Sequence, residues 1–73
     1  MTVSCFPRTE AQLRRIVTSL KEAGLFNQYE EQAHGEHVLI CVQIYSAAQK
    51  ELVKELFREA GIFELIYTEE SAA

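Results

Sequence analysis

Two histidines, two cysteines and a few arginines are the residues that could do chemistry in this 73-residue chain. His34 and His37 bracket Gly35-Glu36, with Glu30 and Glu31 just upstream, a grouping that offers nitrogen and oxygen ligands to a divalent cation. A structural zinc site normally needs four well-placed ligands, and His-x-x-His around a Gly-Glu pair reads as an exposed hairpin tip, so no metal is expected. Cys5 opens the run Cys5-Phe6-Pro7-Arg8-Thr9. A soft Cu(I) site would need a second thiol three positions on, where Arg8 stands instead. Arg8 and Thr9, ahead of a helix start, are the candidate anion-binding residues, because a guanidinium beside free helical amides suits phosphate or carboxylate. The loop has no glycine to bring the backbone close to a phosphate, so Arg8, Arg14 and Arg15 read first as a solvated basic edge and only second as an anion site. No grouping of Ser, Cys or His sets a nucleophile beside a base, so no catalytic residue, no enzyme activity and no cofactor are expected.

Composition narrows the function further. The chain contains no aspartate, which removes every mechanism that needs Asp as nucleophile, triad member or metal ligand. Net charge is −4, and the seven basic residues are scattered among eleven glutamates rather than gathered in a block. A phosphate backbone finds little attraction on such a surface. Phe6 and Tyr45 could stack bases, but the flanking cations of an RNA-binding sheet are missing, so no nucleic acid is expected. The longest apolar run, residues 38–44, is too short to cross a bilayer, and the N-terminus lacks the order of a secretory signal. The expectation is a cytoplasmic protein with no membrane association and with Cys5 and Cys41 as free, buried thiols.

The elements that position these residues come from a duplication. Shifted by 37 residues, positions 9–24 align with 46–61 without a gap: Ala11, Gln12, Glu22, Ala23 and Gly24 meet Ala48, Gln49, Glu59, Ala60 and Gly61 as identities. Thr9 meets Ser46, Ile16 meets Val53, Lys21 meets Arg58, Leu25 meets Ile62, and Phe26 meets Phe63. Each copy opens with a hydroxyl residue followed three positions later by Gln, a capping box, and closes with Glu-Ala-Gly, whose glycine permits the left-handed turn that ends a helix. Between these signals Leu13, Ile16, Val17 and Leu20 fall at helical spacing, as do Leu52, Val53, Leu56 and Phe57. Strands are predicted over residues 2–6, 26–32, 38–45 and 62–68, with a hairpin turn at 34–36.

The order βαββαβ, with right-handed crossovers, gives an α+β, ferredoxin-like sandwich: a four-stranded antiparallel sheet of order 4-1-3-2 with both helices on one face, filling a single domain over residues 1–73. Strand alternation puts Val3, Cys5, Val38, Ile40, Val42, Ile44, Phe63, Leu65 and Tyr67 under the helices. The two cysteines then face opposite ways and cannot pair. Ser4, Phe6, Leu39, Cys41, Gln43, Tyr45 and Ile66 are left on the open face, which is more apolar than a solvated surface requires. Phe6, Leu39, Cys41, Gln43, Tyr45 and Ile66 are therefore the candidate interface, covered by a second copy in a homodimer or by a protein partner. The second predicted strand, with Gln28, Glu30 and Gln32, is polar and reads as a sheet edge.

Gly35-Glu36-His37-Val38-Leu39-Ile40-Cys41-Val42, then Leu56-Phe57-Arg58-Glu59-Ala60-Gly61-Ile62 and Glu64-Leu65-Ile66-Tyr67, resemble the last βαβ half of bacterial general stress protein 17M-like domains. Residues 3–6 with Thr9, Ala11, Leu20 and Gly24 are similar to the first half, and this chain is shorter between the second and third strands. The resemblance implies a small bacterial ferredoxin-like domain, stress-associated, with no catalytic residues to carry over. Residues and resemblance together lead to a non-catalytic module that self-associates through its open sheet face. The alternative is a regulatory domain that senses a small anion or metabolite at an oligomer interface.

Overall fold

The computed structural model describes residues 1–69, in the order β1 (Thr2–Cys5), α1 (Glu10–Glu22), β2 (Tyr29–His34), β3 (His37–Gln43), α2 (Ala47–Glu59) and β4 (Ile66–Thr68). The sheet is antiparallel throughout, with order β2-β3-β1-β4, the ferredoxin-like arrangement that the sequence predicts. Register pairs Val3 with Val42 and with Tyr67, and Tyr29 with Val42, so these residues share the helix side. Ser4 pairs with Cys41 and with Ile66 on the other side.

Both helices begin as their caps require. Thr9 and Ser46 are extended, and their side-chain oxygens accept from Gln12 N and Gln49 N, each at 3.1 Å. The glutamines reach back one residue further than a standard capping box does. Gln12 Oε1 accepts from the Arg8 amide at 2.8 Å, and Gln49 Oε1 from the Tyr45 amide at 2.9 Å. Both helices also end alike: Leu25 N donates to Leu20 O at 2.8 Å and Ile62 N to Phe57 O at 3.0 Å, around Gly24 and Gly61 at φ 76° and 90°. That is the Schellman ending, which places the residue after each glycine back on the core.

One core joins the layers. Val3, Cys5, Ile40 and Val42 from the sheet pack with Ile16 and Leu20 of α1 and Val53 and Phe57 of α2, all with no exposed surface. Because these sheet residues lie on one side, both helices cover that side and leave the other open. The β2–β3 hairpin turns on two residues, Gly35-Glu36, with Gly35 at φ 65°, where a glycine in first place suits the twist of the strands.

Two predicted strands are shorter than expected. Phe26–Gln28 form a 3₁₀ turn, with Gln28 N donating to Leu25 O at 2.9 Å, and the strand starts only at Tyr29. Residues 61–65 are likewise outside the sheet. The cause is the partner: β4 can pair only with Thr2, Val3 and Ser4, since β1 ends at Cys5 and Pro7 has no amide to offer. Phe63 consequently does not line the helix-covered face; it is 76% exposed on the connection. Leu65 does pack against the core, whereas Tyr67, on the helix side by register, is exposed at the sheet edge with Lys50 Nζ of α2 5.4 Å from its ring centroid.

Candidate functional site

The open face has a floor and a rim. Ser4 and Cys41, a cross-strand pair on the two central strands, are 4% and 8% exposed although no helix lies over them. Their small side chains are shielded by larger neighbours. Phe6, Tyr45 and Ile66 stand exposed, and Leu39 and Gln43 are half-buried. Of the six candidate interface residues, five therefore present surface and Cys41 forms part of the floor. Thr2 donates its hydroxyl to Gln43 Oε1 at 3.3 Å, tying β1 to β3 beside Tyr45. Glu30 is the one carboxylate that the strands direct to this side.

The histidines are where the sequence puts them, at the hairpin, but they are not isolated there. They pair across the two strands and turn their rings edge-on to Phe6, at centroid distances of 6.1 Å for His34 and 6.4 Å for His37. The result is an aromatic cluster at one end of the open face. The sequence signal for it is register alone: His37 shares the face parity of Leu39 and Cys41, and Phe6 that of Ser4. Among the described residues no three His, Cys or Glu side chains converge as metal ligands would.

Cys5 and Cys41 are both free and buried, on opposite faces of the sheet. Burial, and after it the nearby Cys41 thiol, pushes the Cys5 thiol up from 9.0 to about 12. A thiol held protonated at neutral pH is neither a nucleophile nor a ready soft-metal ligand.

At the end of the sheet where β1 leaves and β4 enters there is an open cleft of about 1020 Å³. One wall is the β1–α1 loop with Phe6, Pro7 and Arg8; the other is residues 61–66; His37 and Gln12 complete the lining. The local structure explains why the walls stand apart. Phe6-Pro7 carries the chain off the sheet, and the connection from α2 has no strand to join until Ile66. Gln12 is oriented by its bond to the Arg8 amide, which turns its Nε2 toward Gly61. A Cβ at Gly61 would come within 3.3 Å of that nitrogen.

The two candidate anion-binding residues have separate fates here. Thr9 is occupied as the cap of α1 and does not line the cleft. Arg8 does, and among the described residues its guanidinium has no carboxylate or other hydrogen-bond partner, whereas Arg14, Lys54 and Arg58 are each paired with a glutamate. Among the described residues no helix is long and apolar enough to cross a membrane. No family model matches the chain, and neither the curated proteins nor the solved structures contain a significant match to it.

Proposed function

We propose that the protein is a non-catalytic module that self-associates, two copies packing open sheet face against open sheet face. The observation that carries this reading is the rim of exposed Phe6, Tyr45 and Ile66 on a helix-free face where Glu30 is the only charged strand residue. Exposed aromatic and aliphatic side chains gathered on one surface favour removal from water. A second copy is the occupant that the charge distribution favours: a chain with net charge −4 repels its twin over most of its surface, and this face is where like charge is least. Size fits as well. A standard interface takes about 800 Å² from each partner. That is about one sixth of the 4976 Å² that the chain exposes, of the order of one face of a four-stranded sheet. We place the dimer in the cytoplasm, a reducing compartment in which the free thiols Cys5 and Cys41 stay reduced.

Sedimentation velocity over a concentration series tests the proposal. The chain is expected to run as a dimer, and Tyr45→Glu or Leu39→Glu, each bringing two carboxylates into the contact, is expected to weaken association by roughly 30-fold or more, the loss typical of a central interface residue. A monomer at every concentration, or dimers that both variants leave intact, would remove the sheet-to-sheet reading.

A further inference from the structure

We propose that the cleft between the β1–α1 loop and the 61–65 connection binds a small monocarboxylate with an apolar body, its carboxylate held by Arg8 and its hydrocarbon or aromatic part laid against Phe6, Phe63 and Leu65. The cleft, of about 1020 Å³, is roomy enough for such a molecule, and most of its lining is apolar: besides those three, Pro7, Ile62 and Ile66. Phe63, 76% exposed and outside the open sheet face, is the free platform, and Phe6, 41% exposed, lines the cleft at its border with that face.

The polar groups set the charge of the ligand. Arg8 brings a guanidinium that no protein carboxylate neutralises among the described residues, and Gln12 brings an Nε2 amide whose partner oxygen is already bound. His37 adds a ring that can donate. A planar guanidinium fork matches a carboxylate in two parallel hydrogen bonds. The fourth polar residue, Glu64, is a carboxylate and works against a doubly charged ligand. One guanidinium without a carboxylate partner, in a cleft that also carries Glu64 and in a chain of net charge −4, suits a single negative charge held at Arg8 and disfavours a phosphate dianion. This site is built on the side chain of Arg8 and the apolar connection rather than on the start of α1, whose cap uses the Thr9 hydroxyl.

Sodium phenylacetate is the probe, titrated into the full chain and followed by the backbone amide signals of Gln12, Gly61 and Phe63. Saturable shifts with a Kd of about 1 mM or tighter are expected. Phenylacetamide, with the same body and no charge, and inorganic phosphate, with charge and no body, should each bind at least about tenfold more weakly. Arg8→Gln should weaken phenylacetate by at least about tenfold while keeping the dispersed spectrum of a folded chain. Glu64→Gln should leave binding equal or tighter. The Tyr45→Glu variant should bind at least as tightly as the parent, because one chain builds the whole site and a dimer would only cover part of Phe6 and Ile66; this separates the proposal from dimerisation. Absence of saturable shifts, equal binding of the amide or of phosphate, indifference to Arg8→Gln, weakening by Glu64→Gln, or loss of binding in Tyr45→Glu would each overturn it.

Discussion

The two halves of the molecule share their helices and differ in how the chain leaves them. α1 and α2 have matching caps, matching Schellman endings and matching core positions, with Leu20 of the first at the place of Phe57 in the second. After the glycine they diverge. The first half tightens into a 3₁₀ turn and puts Tyr29, five residues past Gly24, on the helix side. In the second half that side is reached by Tyr67, six residues past Gly61. β2 then pairs with β3 over six residues, whereas β4 pairs with β1 over three. The repeated part of the unit builds the core; the part that has drifted out of phase leaves Phe63 uncovered and opens the cleft.

The largest effect should come from the positions where the halves agree. Phe57→Ala is expected to cost about 3–5 kcal/mol and Leu20→Ala about 2–5 kcal/mol, since both side chains are fully buried in one cluster. Urea denaturation should show a single transition for each variant with an unaltered slope, because the two halves share that cluster and cannot unfold apart. Two separated transitions in either variant would mean that the halves are independent units.

A chemical difference within the shared core sharpens the comparison. Cys5 stands where the second half has Val42, both without exposed surface, so at this fully buried position only the first half carries an ionisable group. The folded chain holds that thiol protonated to about 12, while in the unfolded chain it ionises from 9.0. The stability gained by burying it is therefore fully present below pH 9.0 and is lost as pH rises toward 12, at up to about 1.4 kcal/mol per pH unit. In Cys5→Ala this component should vanish. Plotted against pH, the difference in unfolding free energy between parent and variant should be flat up to about pH 9 and then fall; a difference that stays flat to pH 11 would exclude Cys5 as its source.

Most of the fold is legible because it is written in local signals that appear twice: a hydroxyl residue and a glutamine to start each helix, glycine to stop it, alternating valine and isoleucine to set the faces. Cys5 under the helices and Cys41 away from them follow from alternation alone. What escapes is whatever depends on a neighbour's length. Residues 62–65 look like a strand by composition, but β1 is too short and Pro7 too poor a partner for them to pair. The cleft escapes for the same reason, as it is the space left by that unpaired segment. The edge-on contact of Phe6 with His34 and His37 escapes because it joins residues at the ends of three strands.

The smallest effect is the one that best separates structure from function. Thr9→Ala and Ser46→Ala each remove a cap of the same geometry, with a 3.1 Å bond to the amide three residues on, and each should cost about 1 kcal/mol by urea denaturation. In stability the halves should behave alike. In binding they should not. The cap at Thr9 steadies the turn in which Gln12 holds the Arg8 amide, a wall of the cleft, whereas the matching glutamine in the second half holds the amide of Tyr45, outside it. Thr9→Ala is thus expected to weaken phenylacetate binding measurably and Ser46→Ala to leave it unchanged. Equal loss in both variants would mean that binding follows global stability, and the drifted half would then have no site of its own.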